Sequence, residues 1–161
     1  MSRSGSFGVN YKKTYGTAPS INEAVLGDLG SNPEGEYVFV QAASSVAQYD
    51  AVAISRTYTV ASLTTTTAGS NTQQIGVAQA ALATGEYGWV WIGGAMGGGT
   101  GKGVKVNVSA AVSAGANLNT TATAGQVSST STTLIKNFAA AGTTSSAGVV
   151  EVLSTGYLSV N

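Results

Sequence analysis

One segment restricts the fold of this chain more than any other, the run Tyr-Gly-Trp-Val-Trp-Ile at residues 87–92. Aromatic and β-branched residues are typical of strands, in which alternate side chains point to opposite faces. Tyr87, Trp89 and Trp91 therefore share one face of the predicted strand, and they include both tryptophans of the chain. Burial of a large apolar side chain contributes roughly 1.5–3 kcal/mol. We therefore expect this face to form the main core or a contact between subunits.

The residues in front of this strand predict its pairing partner. Ile75, Val77 and Ala78 form a first apolar stretch, and residues 81–86, which end in Thr-Gly-Glu, can turn the chain back. Residues 74–94 are therefore predicted to form an antiparallel hairpin at the centre of the fold.

The rest of the chain is rich in Ser, Thr and Gly, a composition that favours strands and turns over helices. Further strands are predicted at residues 37–41, 51–54, 57–63, 103–108, around 114–118 and 123–127, and in a last hairpin of residues 148–153 and 157–160. Residues expected to be buried together with the aromatic face are Val38, Val77, Val90, Val104, Val106 and Val150. Many short strands separated by turns predict an all-β fold, a small antiparallel β-barrel or sandwich.

The chain of 161 residues is predicted to contain one β-domain with an extension at its start. Residues 1–20 form an N-terminal arm, residues 21–35 a short helix or turn followed by a loop, and residues 36–161 the β-domain. Ser20 and Glu23 have the spacing of a helix capping box. Residues 64–72, 128–133 and 139–146 are expected to be loops, and residues 93–103, with seven glycines among them, to be the most flexible stretch.

The charge balance restricts the partners of this chain. Only 9% of the residues are charged, and seven basic and seven acidic residues give a formal net charge of zero. General nucleic-acid binding requires a basic surface, so we do not expect it here. A protein near zero net charge tends to associate, which favours an oligomer. No run of about 18 apolar residues is present, and the start of the chain does not resemble a signal peptide, so no membrane partner is predicted.

The N-terminal arm combines basic and aromatic residues. The residues of interest are Arg3, Phe7, Tyr11, Lys12, Lys13 and Tyr15. A segment with so little apolar surface cannot fold alone, so its order must come from contact with the β-domain, a sister subunit or a larger partner. The alternatives are a loose or self-packed tail and a segment that touches nucleic acid.

Residues suited to catalysis or metal binding are scarce. The chain has no histidine and no cysteine, which excludes the common nucleophile–base pairs and thiolate or imidazole ligands. Asp50, Glu86 and Glu34 remain as candidates for a hydrolase with paired carboxylates, the weakest alternative. The acidic loop of residues 28–36 lacks the spacing of a calcium loop and is better explained as solvated. We therefore predict no catalytic residue, no cofactor and no metal.

The glycine tract ends in Gly101-Lys102, which resembles part of a phosphate-binding loop. That motif requires glycine where this chain has Met96 and Ser or Thr where it has Gly103. A loop that contacts a partner or solvent is the better interpretation.

Several short motifs, taken in order, resemble the small capsid cement proteins of tailed phages. They are Ile75-Gly-Val-Ala78, Thr84-Gly-Glu86, the apolar strand Tyr87–Gly94, Ala114-Gly-Ala-Asn-Leu118, Thr123-Ala-Gly-Gln-Val127 and the closing Ala147–Leu153. The resemblance spans roughly residues 36–160. It implies a β-barrel or β-tulip-like fold that decorates the outside of a capsid, commonly as trimers, with the major capsid protein as partner. The arm and the glycine tract are less typical of that family.

This resemblance leads to an expected function and location. We expect a structural, non-enzymatic protein made in the host cytoplasm and carried on the outer surface of the virion, with the arm contacting the capsid or a sister subunit. The alternative is a carbohydrate-binding or adhesin-like module, in which Tyr87, Trp89 and Trp91 stack on sugar rings. Exposed tryptophans would favour the alternative, and buried ones the capsid role.

Overall fold

A computed structural model describes residues 6–7, 9–18, 24–69, 74–94, 97–131 and 133–160, with the backbone alone for residues 6–7. This part of the chain contains fourteen strands and one short helix, so the predicted all-β fold is confirmed. The strands are β1 (Ser6–Phe7), β2 (Thr14–Tyr15), β3 (Leu29–Asn32), β4 (Gly35–Ala42), β5 (Ala51–Ile54), β6 (Thr59–Ser62), β7 (Gln74–Ala78), β8 (Tyr87–Gly93), β9 (Gly97–Gly98), β10 (Lys105–Val108), β11 (Asn117–Thr120), β12 (Val127–Ser128), β13 (Leu134–Ala140) and β14 (Gly148–Val160). The helix α1 is Thr65–Gly69, and no helix in the described ranges is long and apolar enough to cross a membrane.

Pairing of these strands closes two small rings. In ring 1, β4 pairs with β6, β6 with β5, β5 with β7, β7 with β8, and β8 again with β4. In ring 2, β14 pairs with β10, β10 with β12, β12 with β11, β11 with β13, and β13 again with β14. The pairs β4–β6 and β10–β12 are parallel, so the rings are mixed and not purely antiparallel as predicted.

The two rings repeat one turn conformation. Val46 and Leu82 exchange backbone hydrogen bonds of 2.8 and 2.9 Å across ring 1, and Val112 and Thr144 form the equivalent bridge in ring 2. Val46, Leu82 and Val112 are each followed, three residues later, by a residue with a left-handed backbone. These residues are Tyr49 (φ 69°), Gly85 (φ 83°) and Gly115 (φ 80°). The chain therefore uses the same strand–turn–strand unit at least three times within the described residues.

The central strands β4 and β8 form a wall between two apolar cores. Because side chains alternate along a strand, Val38 and Val90 point into ring 1, whereas Tyr37, Trp89 and Trp91 point out of it. Val77, Val104, Val106 and Val150 lie in the same core as the tryptophans. The prediction that Val38 and Val90 join that core is wrong, because Val90 lies between the two tryptophans and must face the other way.

Side chains also connect the two rings. The side-chain amide of Gln79 donates to the backbone carbonyl of Lys105 at 2.9 Å and accepts from the backbone N–H of Lys105 at 3.1 Å. This side chain therefore forms the same pair of hydrogen bonds with β10 that a residue of a neighbouring strand would form. Asn107 of β10 donates from its backbone to Tyr49 and from its side chain to Asp50, at 2.9 and 3.0 Å. Both links start in loops of ring 1 and end on the same strand of ring 2.

The structure corrects several predicted elements. The predicted last hairpin is instead one continuous strand, β14. Its two halves do not pair with each other, because both pair with β13: Leu153 with Ala139 and Ser159 with Lys136. Residues 29–32 of the predicted acidic loop form β3, and β13 covers residues 134–140, where no strand was predicted and a loop was expected from residue 139. Part of residues 64–72 is the helix α1.

The central hairpin of β7 and β8 is confirmed by the pairing of Val77 with Trp91. The glycine tract is not a free loop throughout, since Gly97 and Gly98 pair with Ser154 and Leu153 of β14. The predicted capping box at residues 20–23 lies outside the described residues.

Candidate interaction surfaces

Residues 9–15 of the N-terminal arm lie across the outer aromatic face of ring 1. Tyr11 stacks on Tyr37, with ring centroids 5.3 Å and planes 9° apart, and Tyr15 packs edge-on against Phe39, also at 5.3 Å. Val9 is buried at 8% exposure and belongs to the core that contains the tryptophans. Arm residues 9–15 therefore contact the β-domain of their own chain.

Backbone pairing holds the arm in the same place. The strand β2 extends the sheet along β8, with Thr14 opposite Gly88 and Tyr15 opposite Tyr87, and β1 runs parallel to β3. Gly30 of β3 leaves room for Val9, because a Cβ at this position would overlap the Val9 side chain. The arm thus adds two short edge strands to the sheet and covers apolar rings between them.

The arm residues predicted to contact a partner have different surroundings. Lys12 and Lys13 are exposed, and the Nζ of Lys13 lies 4.5 Å from the centroid of the Tyr15 ring, a cation–π distance. Tyr11 and Tyr15 are half-buried against the β-domain. Arg3 and the side chain of Phe7 lie outside the described residues. Contact of the arm with a capsid or a sister subunit stays a prediction.

Tyr37, beneath the arm, has an unusual hydroxyl. The residue is completely buried, and among the described atoms none meets the geometry of a hydrogen bond to its hydroxyl. Burial raises the pKa of Tyr37 strongly, because the phenolate would lose its hydration, while the nearby side chain of Asn32 opposes the rise. This phenol therefore stays protonated at pH values where an exposed tyrosine ionises.

The aromatic residues of β8 form core and not an open platform. Trp91 is completely buried, and its indole nitrogen donates to the Glu34 carbonyl at 3.1 Å. Trp89 is 6% exposed and packs against Phe39 at 5.2 Å. Tyr87 is half-buried at the edge of the same face. A sugar could not stack on either tryptophan without removal of the surrounding side chains.

The three acids considered for hydrolysis all have local structural interactions. The Asp50 carboxylate accepts from the Ala47 amide, the Ser62 hydroxyl and the Asn107 amide, all between 3.0 and 3.1 Å. Glu86 accepts from the amide of Ala83 in a turn of ring 1. The Glu34 side chain lies near Tyr11, whose pKa is raised first by burial and then by the charge of Glu34. No two of these acids are brought together by the contacts of the described residues.

The acidic loop shows no arrangement for an ion. Asp28 accepts from the amide of Val25 at 2.8 Å and Asn32 from the amide of Glu34 at 3.0 Å, so these oxygens close local turns. Within the described ranges, no group of three or more acidic side chains could hold a metal.

A small open pocket lies where four strands meet, and the sequence did not predict it. Ser31 pairs with Glu36, Glu36 with Gly93, and Gly93 with Tyr157, so these residues form one row across β3, β4, β8 and β14. The pocket has a volume of about 200 Å³ and is lined by Leu29, Gly30, Ser31, Glu36 and Tyr157. No local sequence pattern predicts this pocket, because its residues come from segments far apart in the chain.

Comparison with known proteins adds no relative. No protein-family model, no curated protein and no solved structure matches this chain.

Proposed function

We propose that this chain is a structural protein of a phage virion, which binds the outside of the capsid and stabilises it by bridging major capsid protein subunits. The observation that carries the proposal is the order of motifs that resembles capsid cement proteins. Two of these motifs contain Gly85 and Gly115, which occupy equivalent left-handed turns of the two rings. Part of the resemblance thus falls on the strand–turn–strand unit that the domain repeats.

The burial of the aromatic residues supports this proposal over the sugar-binding alternative. Carbohydrate modules present exposed rings, whereas Trp89 and Trp91 stabilise the wall between the two cores. Asp50 and Glu86 both accept hydrogen bonds from backbone amides of turns, which gives each carboxylate a structural role that needs no catalytic function.

Self-association is part of the proposal. The low charge of the chain favours self-association, and the resemblance suggests that the oligomer is a homotrimer. Light scattering at micromolar concentration tests it, and a clean monomer would contradict a trimer that forms without the capsid.

Co-sedimentation tests the capsid role directly. Purified chain is mixed with capsids that lack it, pelleted and imaged by electron microscopy, and we expect saturable binding on the outer surface with increased resistance of the shell to heating. The variant Lys12→Ser probes the arm, and Lys136→Ser, at an exposed position of β13, is the matched control. Absence of the chain from the pellet would contradict the proposal.

A further inference from the structure

The pocket lies beside the row Ser31–Glu36–Gly93–Tyr157, and residues of β3, β4 and β14 line it. Glu36 and Tyr157 both pair with Gly93, one from each side, which brings these two residues from distant segments to the same place. Gly93 is fixed there, since its φ is +92° and a Cβ would lie 2.6 Å from the Gly156 carbonyl oxygen. This close backbone approach holds β14 beside β8 at Gly93, and the pocket beside it is lined by residues of β3, β4 and β14.

The chemistry of the walls is a carboxylate beside an aromatic ring and an aliphatic group. Hydrogen bonding to Glu36 is the main cause that raises the pKa of Tyr157, followed by burial and by the charge of Glu36, so the two side chains interact. Tyr157 is 51% exposed and Leu29 is 42% exposed, both unusual for large apolar side chains. The surface thus presents apolar area next to one negative charge.

The volume restricts what this surface can bind. Pockets for small-molecule ligands usually measure about 300–1,000 Å³, whereas this one has about 200 Å³. It suits one long side chain and not a nucleotide or an oligosaccharide. The side chains that combine an aliphatic stem with a positive head are lysine and arginine, which bury the stem and direct the head to a carboxylate or an aromatic face.

We propose that the pocket formed by Leu29, Ser31, Glu36 and Tyr157 binds a lysine or arginine side chain presented by a partner polypeptide. The cationic head meets the Glu36 carboxylate, and the stem lies along Leu29 and the ring of Tyr157. This proposal goes beyond the capsid role and does not depend on it, because small probes test it without any capsid.

The first test is an NMR titration of the full chain with N-acetyl-arginine amide, with N-acetyl-norleucine amide as the neutral probe of similar length. We expect saturable shifts at Leu29, Ser31 and Tyr157 for the cationic probe alone, and at least a fivefold weaker affinity in Glu36→Gln. Glu151→Gln, which removes a charge from β14 at another site, should bind as the original chain does. Equal binding of both probes, or an unchanged affinity in Glu36→Gln, would overturn the proposal.

A second test remains decisive when the free probe binds weakly. The chain has no cysteine, so Ser31→Cys places a single thiol at the pocket. Disulfide exchange with equal amounts of cystamine and bis(2-hydroxyethyl) disulfide should favour the cationic adduct several-fold, and Glu36→Gln in the same background should remove the preference. A ratio near one in the chain with Glu36 intact would refute the assignment of a cation site.

Discussion

Tyr11 of the arm stacks on Tyr37 of the β-domain, with the two rings nearly parallel and their centroids 5.3 Å apart. Tyr37 is completely buried, and the arm is part of what covers it. The arm is thus a structural part of the domain as well as a candidate contact for partners. Removal of residues 1–18 should lower the stability of the β-domain, contrary to what an independent tail would do.

The contribution of this stack can be measured by substitution. Tyr11→Ala should lower the free energy of unfolding by about 1–3 kcal/mol, because it removes an aromatic pair and part of the cover over Tyr37. Lys12→Ala, at the adjacent exposed position, should change it by less than about 0.5 kcal/mol. Urea unfolding followed by tryptophan fluorescence measures both. Equal stability of the two variants would mean that the stack of Tyr11 on Tyr37 contributes nothing to the domain.

The buried phenol of Tyr37 predicts a loss of stability in alkali. The folded-state pKa is raised above the unfolded value, so the unfolded chain loses this proton first as the pH rises. The stabilisation is complete below the unfolded pKa of about 10 and decreases above it. Melting temperatures between pH 8 and 11 should fall less steeply in Tyr37→Phe than in the original chain.

Tyr157→Phe is the control for this experiment. Tyr157 is half exposed, and its pKa is raised as well, mainly by its hydrogen bond to Glu36. Its replacement should therefore remove a smaller part of the alkaline decrease than Tyr37→Phe does. Parallel curves for the original chain and Tyr37→Phe would show that the phenol of Tyr37 is hydrated in solution.

The core assignment of the aromatic strand makes a further prediction. Trp89→Ala should lower the free energy of unfolding by about 3–5 kcal/mol, the usual effect of removing a buried large ring. Tyr157→Ala removes a ring that is half exposed and should have an effect below about 1 kcal/mol. A melting temperature of Trp89→Ala close to that of the original chain would contradict the core assignment and favour a ligand-binding role for this face.

Local patterns predicted some elements well. The strand of residues 51–54 and the alternation of Val104, Val106 and Val108 follow from periodicity within a few residues, and the structure has them as predicted. The continuous strand β14 could not be predicted in the same way. Ser154-Thr-Gly156 resembles a turn, and only the pairing with β13 and β9 keeps it extended.

Ring closure and the pocket depend on contacts between distant segments. The parallel pair of β4 and β6 needs a connection through β5, and the row from Ser31 to Tyr157 joins four strands. Periodicity carries information about which face a residue occupies, not about which strand lies beside it. The arm was predicted as an extension, but its place on the aromatic face follows only from the fit of Val9 and Tyr11 to that surface.

The buried carboxylate of Asp50 gives the last prediction. Gly125 lies against it with a φ of +75°, and a Cβ there would overlap the carboxylate, which is held by donors from Ala47, Ser62 and Asn107. Gly115 has a similar φ of +80° but open space around it. Gly115→Ala should therefore cost only backbone strain, about 1–2 kcal/mol.

Gly125→Ala should cost about 2 kcal/mol more than Gly115→Ala, because it also disrupts hydrogen bonds to a buried charged group. Asp50→Asn should lower the free energy of unfolding by about 1–3 kcal/mol. The NH₂ group of the asparagine would face one of the hydrogen-bond donors that the carboxylate now accepts from, and that donor would lose its acceptor. If Asp50 is the group that Gly125→Ala displaces, the two substitutions share one cause, and their combined effect is smaller than the sum of the single effects. Chemical unfolding of the four variants measures these differences, and full additivity would contradict the shared cause.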